Sequence, residues 1–148
     1  MGKEAEISGS TGVESAEALP AIRVLIVDDE SCISELLAEM LRILGYEPRK
    51  CYSPQAALEL LAKENFDVVL SDFRMPKMTG EQFYTAATAR QPYLAERFAF
   101  LTGDTLCDET QGFLQRTRRP HLAKPFNLAD LEQIIAEISG RRATPLAA

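Results

Sequence analysis

Several features that would indicate common functions are scarce or missing in this chain of 148 residues. The formal net charge is -6, which argues against a surface for nucleic acid or for an anionic membrane. No apolar run approaches the length of a membrane span, and the amino terminus lacks the apolar stretch of a signal peptide. We therefore expect a cytoplasmic protein with no membrane segment.

Residue patterns that bind soft metals or nucleotides are also missing. His121 is the only histidine, and the three cysteines, Cys32, Cys51 and Cys107, are widely spaced without a CxxC motif. A zinc site is therefore not expected, and the thiols are interpreted as reduced, mostly structural groups. No P-loop or dinucleotide fingerprint occurs, so a nucleotide enzyme is unsupported.

The length and the hydrophobic content of 46% are enough for one folded domain. Residues 1–20 are rich in glycine, serine and glutamate and predict a flexible segment or linker. Residues 21–140 are the predicted domain. Residues 141–148 predict a disordered tail that is too short to fold, so we expect the output to lie in another molecule or in domains outside this sequence.

Apolar periodicity predicts five strands that alternate with five helices. The predicted strands are residues 22–27, 46–52, 68–70, 97–101 and 121–123, the second of them at a sheet edge because it contains Pro48. The predicted helices cover residues 33–44, 53–61, 107–115 and 127–138, and the third of the five begins at Thr79, includes Ala87 and ends just before Pro92. This alternation is typical of an α/β fold in which a doubly wound five-stranded parallel sheet carries helices on both faces.

Polar side chains follow four of the predicted strands. Asp28 and Asp29 follow the first strand, Asp72 the third, Thr102 the fourth and Lys124 the fifth. Because parallel strands end at one edge of a sheet, we expect these residues to converge there. Three clustered carboxylates would repel and have raised pKa values unless a cation were present. Oxygen ligands without histidine or cysteine favour a hard cation such as Mg²⁺.

Such a cluster suits phosphoryl transfer. One aspartate could act as the nucleophile, Lys124 could balance the charge on the phosphoryl oxygens, and the Thr102 hydroxyl could donate a hydrogen bond to one of them. Each residue alone also has an ordinary structural interpretation, as a partner of a helix dipole, a turn residue or a solvated lysine. Their conjunction at four strand ends favours the phosphoryl site.

The ordered motifs VLIVDDE, VVLSDFRMPKMTG, LTGD and AKPF resemble those of the receiver domain of two-component response regulators. The resemblance covers about residues 21–140 and implies a flavodoxin-like strand order of 2-1-3-4-5. It also implies that Asp72 is the phosphoacceptor and that Asp29 binds Mg²⁺ directly. Asp28 would assist through water, and the main-chain carbonyl of Arg74 would complete the protein ligands.

The same resemblance assigns the residues around the phosphoryl group. It implies that Thr102 is the switch hydroxyl and that Lys124 binds the phosphoryl group, with a Lys124–Pro125 bond that is often cis in relatives. Where the family often has tyrosine or phenylalanine, this chain has His121, which is either a weaker or pH-sensitive switch or simply an exposed residue at the strand edge.

Two further positions depart from the common pattern. Arg74 and Asp104 lie two residues beyond Asp72 and Thr102, and we hypothesise that they pair across the site and restrict the attacking water. The segments FLTGDT and QRTRRP resemble receivers attached to hybrid histidine kinases more than those of transcription factors.

The resemblance implies a signalling phosphoacceptor rather than an enzyme in the ordinary sense. We expect Mg²⁺-dependent transfer from the phosphohistidine of a histidine kinase or of a histidine phosphotransfer protein to Asp72. Phosphorylation would shift the surface of helix four, strand five and helix five, which could also support a weak homodimer. The alternatives are a phosphate-independent interaction module and a Mg²⁺-dependent phosphohydrolase with an aspartyl nucleophile.

Overall fold

A parallel sheet of five strands forms the centre of the computed structural model, which describes residues 20–103 and 107–140. The strand order is β2-β1-β3-β4-β5, as predicted. The strands are β1 (Arg23–Val27), β2 (Glu47–Cys51), β3 (Val68–Asp72), β4 (Phe98–Thr102) and β5 (His121–Ala123). The predicted segment 1–20, apart from Pro20, and the predicted tail 141–148 lie outside the described residues.

Five α-helices alternate with the strands, which confirms the predicted α/β class. They are α1 (Ser31–Ile43), α2 (Pro54–Lys63), α3 (Gly80–Arg90), α4 (Asp108–Thr117) and α5 (Leu128–Ser139). In the described part of the chain, no helix is both long enough and apolar enough to cross a membrane.

The sheet separates two apolar clusters, one on each face. In β1, Val24 and Ile26 pack on the side of α1 and α5, whereas Leu25 and Val27 pack on the side of α2, α3 and α4. Side chains of β3 and β4 alternate in the same way, and every residue of both strands is buried. Burial on both faces explains why these strands are continuous apolar runs rather than alternating ones.

The helix starts follow signals in the sequence. The Ser53 hydroxyl accepts a hydrogen bond from the Ala56 N–H and caps α2. Thr79 and Gln82 form the predicted capping box of α3, and Asn127 caps α5 by accepting a bond from the Asp130 N–H. These side chains satisfy amide groups that the helices leave free, and so fix where the chain turns away from each strand end.

Most boundaries differ from the sequence prediction by a few residues, and two of these differences have a clear local cause. A 3₁₀ helix over Pro92–Glu96 was not predicted, and Arg97 caps it, so β4 begins at Phe98 and extends to Thr102. Helix α4 ends at Thr117, two residues later than predicted, where Arg118 adopts a left-handed conformation with φ 57°. The left-handed residue stops the helix without a glycine, so no clear stop signal is present in the sequence.

Gly80, the first residue of α3, lies against the backbone at the end of β3. Its N–H donates to the Phe73 carbonyl at 2.8 Å. A methyl group on Gly80 would lie 2.9 Å from the Phe73 Cα and 3.0 Å from the Asp72 carbonyl oxygen. Backbone atoms cannot move aside as a flexible side chain can, so this close approach requires glycine. The contact holds the start of α3 against the backbone of Asp72.

We therefore predict that Gly80→Ala lowers the free energy of unfolding by about 1 to 3 kcal/mol, the usual cost of overpacking. Gly112→Ala in α4 is the matched control, because its new methyl group would meet only the flexible Arg116 side chain at 3.5 Å. That control should raise stability by about 0.5 to 1 kcal/mol. Urea unfolding followed by circular dichroism measures the free energy of unfolding of both variants. Equal changes in the two variants would contradict the claim that the close backbone contact requires glycine at position 80.

Candidate functional site

The strand register brings the predicted site residues to one edge of the sheet. Val27 pairs with Ser71, so Asp28 lies beside Asp72 at the adjoining ends of β1 and β3. Carboxylate oxygens of Asp28, Asp29 and Asp72 all lie within 4.8 Å of one another. Asp28 is fully buried and Asp72 nearly so, whereas Asp29 is exposed. The three acidic residues that the sequence placed together therefore do form one cluster.

Lys124 supplies a positive charge to this cluster. Its Nζ lies 3.6 Å from Oδ1 of Asp72 and 3.8 Å from Oδ2 of Asp28. The Lys124 N–H donates to the Thr102 carbonyl at 3.0 Å, which ties the end of β5 to the end of β4. The peptide bond between Lys124 and Pro125 is cis. The lysine thus points from the sheet edge toward both buried carboxylates.

The pKa of Asp72 is raised to about 6, mainly by burial and also by the neighbouring charge of Asp28, against the opposing effect of Lys124. The pKa of Asp28 is also raised, again mainly by burial. The sequence predicted this direction from repulsion between carboxylates. The larger cause is the loss of water around each carboxylate, which disfavours its ionised form.

Two buried polar atoms of the site have no hydrogen-bond partner among the described residues. They are Oδ2 of Asp28 and the hydroxyl oxygen of Thr102. Such atoms are costly to bury unless a ligand or an ion satisfies them. Both belong to the strand ends that carry the acidic cluster, so the pattern is that of a site prepared for a ligand.

A cleft of about 220 Å³ opens above Asp72. Polar groups at the ends of β3, β4 and β5 border it, together with Glu30, the residue directly before α1. The lining residues are Glu30, Asp72, Phe73, Arg74, Leu101, Thr102, Gly103, Thr110 and Lys124. A group the size of a phosphoryl can therefore reach Asp72, Thr102 and Lys124 together.

The remaining predicted residues differ in how they relate to the cleft. The exposed Arg74 lines it, and the main-chain N–H of Arg74 acts to lower the pKa of Asp72. His121 is exposed on β5, where it pairs with Phe100, and it is not among the cleft residues. Asp104 lies outside the described residues, so its pairing with Arg74 stays a prediction.

Sequence reasoning missed the role of Glu30. Its Oε1 lies 3.9 Å from Nζ of Lys124, which therefore has three carboxylate neighbours. The only signal was its position directly after Asp28 and Asp29. All three cysteines are free; Cys51 is buried, whereas Cys32 and Cys107 are exposed.

Comparison with known proteins places this geometry in a family. A family model described as the response regulator receiver domain matches residues 24–136. Response regulator protein FleR of Pseudomonas aeruginosa is 32% identical over 116 residues, which cover 78% of this chain and 24% of FleR. Sensor histidine kinase RcsC of Salmonella typhi is 32% identical over 128 residues, which cover 86% of this chain and 13% of RcsC. The chain spans about a quarter or less of these relatives.

Solved structures show the same fold. Chemotaxis protein CheY4 of Vibrio cholerae superimposes with a TM-score of 0.73 at 28% identity, covering 80% of this chain and 99% of that chain. The receiver domain of a sensor histidine kinase from Pseudomonas aeruginosa PAO1 gives a TM-score of 0.73 at 26% identity, over 82% of this chain and 99% of that chain. A magnesium ion is coordinated in the active site cleft of that second structure.

The raised pKa of Asp72 predicts how stability depends on pH without metal. At low pH the carboxyl group is protonated in the folded and the unfolded chain alike. Between the ordinary pKa of 3.8 and about 6 only the folded chain keeps the proton, so stability falls as pH rises through this window.

Asp72→Asn removes this effect, and should therefore raise the free energy of unfolding at pH 8 by about 2 to 3 kcal/mol, with the gain shrinking toward pH 4. Urea unfolding in chelator-containing buffer measures it. Glu59→Gln, at an exposed position of α2, is the control and should change stability by less than about 0.5 kcal/mol. A gain that is the same at pH 4 and pH 8 would contradict the burial argument.

Proposed function

The chain belongs to the family of response regulator receiver domains, and we propose that it acts as a phosphoacceptor in two-component signalling, with Asp72 as the acceptor. The observation that carries the proposal is the cleft in which the Asp72 carboxylate, the Lys124 ammonium and the Thr102 hydroxyl face one small volume. That hydroxyl has no hydrogen-bond partner among the described residues. The donor is the phosphohistidine of a histidine kinase or of a histidine phosphotransfer protein.

The acidic cluster fits Mg²⁺. Its ligand atoms are hard oxygens, and one of them, Oδ2 of Asp28, is buried without a hydrogen-bond partner in the described chain. Asp29 and Asp72 would hold the ion directly, Asp28 through water, and the main-chain carbonyl of Arg74 would complete the protein ligands. A bound Mg²⁺ would offset the negative charge of the carboxylates and of the phosphoryl oxygens.

Asp72 is the nucleophile. A carboxylate oxygen attacks the phosphorus, and the bond from phosphorus to the imidazole nitrogen of the donor breaks, with its electron pair returning to the imidazole. Lys124 leaves its contact with Asp72 to bind a phosphoryl oxygen, because the acyl phosphate carries more negative charge than the free carboxylate did. Positioning and charge thus supply the catalysis, as in other phosphoryl transfers.

The Thr102 hydroxyl links the phosphoryl group to the rest of the domain. The hydroxyl has no hydrogen-bond partner among the described residues. It can therefore donate to a phosphoryl oxygen in the cleft without breaking a hydrogen bond to any of them. A movement of Thr102 toward the phosphoryl group would change the surface formed by α4, β5 and α5. His121 lies on this surface, where it pairs with Phe100 of β4. That surface is the proposed output and a proposed site for weak self-association, and the partner beyond it is unknown.

The test is intact mass after incubation with acetyl phosphate and Mg²⁺. We expect wild type to gain one phosphoryl group that hydroxylamine removes, as it does from an acyl phosphate. Asp72→Asn should gain none, while Asp108→Asn, an exposed position at the start of α4, should react like wild type.

An adduct on Asp72→Asn would overturn the assignment of the acceptor. If wild type fails with acetyl phosphate but accepts phosphate from a histidine kinase in an Asp72-dependent manner, the proposal stands with a selective donor. If it binds neither phosphate nor Mg²⁺, the phosphate-independent module is the better description. Rapid release of inorganic phosphate over many turnovers would instead favour the phosphohydrolase.

A further inference from the structure

Glu30 is held at the mouth of the cleft by its own backbone. It is the residue before α1, and its N–H donates to Oδ1 of Asp28 at 2.9 Å. Its carbonyl accepts the N–H of Ser34 at 3.1 Å. Because bonds on both sides of the residue fix its backbone, the side chain starts at the cleft mouth even though it is 59% exposed.

The Lys124 ammonium lies among three carboxylates at nearly equal distances. Nζ is 3.6 Å from Asp72, 3.8 Å from Asp28 and 3.9 Å from Glu30. The first two carboxylates are deeply buried, with side chains 10% and 0% exposed, so Glu30 is the partner on the solvent side. A phosphoryl group that binds Lys124 from the solvent side therefore competes with the Glu30 carboxylate for the ammonium group.

Glu30 also changes the charge that a donor meets. The acidic cluster of Asp28, Asp29 and Asp72 is the proposed place of the metal, and Glu30 adds a fourth carboxylate beside it. The exposed and positively charged Arg74 also lines the cleft. A negative group at this entrance repels a donor in proportion to the donor's own negative charge.

We propose that Glu30 is a specificity-determining residue, which shares the Lys124 ammonium at the cleft mouth and selects against small phosphodonors of high negative charge. This rests on the proposed phosphoacceptor function. A donor of lower net negative charge, such as the phosphoramidate monoanion, is penalised less than a dianionic acyl phosphate. Glu30 does not touch the reacting atoms and acts through Lys124 and through its field.

The test compares acetyl phosphate, a dianion near neutral pH, with phosphoramidate, which carries one net negative charge there. We expect Glu30→Gln to raise the second-order rate constant of Asp72 phosphorylation about fivefold for acetyl phosphate and about twofold for phosphoramidate, because the logarithm of the effect scales with donor charge. Intact mass at several times and donor concentrations gives both rate constants, with Mg²⁺ saturating for each variant.

Three controls separate this role from a structural one. Glu30→Asp keeps the charge and should restore discrimination between the donors. Glu59→Gln makes the same change in net charge at an exposed position of α2 and should leave the ratio of the two rate constants unchanged. The difference between the donors should also shrink as salt is raised, because exposed charges are screened.

Equal acceleration of both donors by Glu30→Gln, or none, would overturn the role of Glu30 while leaving Asp72 phosphorylation intact. A wild type that does not react with acetyl phosphate while Glu30→Gln does would support it strongly. If no variant forms an adduct with either small donor, the role of Glu30 is contradicted. If a histidine kinase also fails to phosphorylate the protein, the phosphoacceptor function is contradicted as well.

Discussion

The burial of the Asp72 carboxylate at the end of a central strand is the constraint on which the site depends. Its strand is buried on both faces, so little water reaches the carboxylate, and the adjacent Asp28 adds a second buried acid. Lys124 offsets only part of this charge, because its Nζ lies 3.6 Å or more from each of its carboxylate neighbours. In the folded protein the ionised Asp72 carboxylate is therefore unfavourable by itself. Binding of a proton, a cation or a phosphoryl group relieves this cost.

The rest of the fold holds that arrangement in register. Pairing of β1 with β3 sets Asp28 beside Asp72, and pairing of β4 with β5 sets Thr102 beside Ala123, with Lys124 next in the chain. Gly80 allows α3 to begin against the backbone of Asp72 and Phe73. The reactive groups thus come from four strands, and packing on both faces of the sheet fixes their distances, which is the preorganisation that phosphoryl transfer requires.

The sequence predicted the fold and the membership of the acidic cluster because both depend on simple patterns. The buried strand Val68–Asp72 begins with a continuous apolar run, and a polar residue at the carboxyl end of such a strand lies at the edge of the sheet where ligands bind. What failed depends on distances that no pattern contains. Glu30 is one of many exposed glutamates in the sequence, and only the fold reveals that it shares a lysine with Asp72. The main cause of the raised pKa of Asp72 was missed for the same reason, since burial is a property of the whole packed domain.

The most direct test of this account is the free energy of unfolding as Mg²⁺ is added at pH 8. If the clustered carboxylates form a cation site that exists only in the folded chain, Mg²⁺ should raise the free energy of unfolding. At Mg²⁺ concentrations above the dissociation constant, the increase should be linear in the logarithm of the concentration. Asp72→Asn, which removes one ligand charge from the cluster, should lose most of that response. A wild type whose stability does not change with Mg²⁺, or one that responds no more than Asp72→Asn, would contradict the claim that the strand-end carboxylates are arranged to hold a cation.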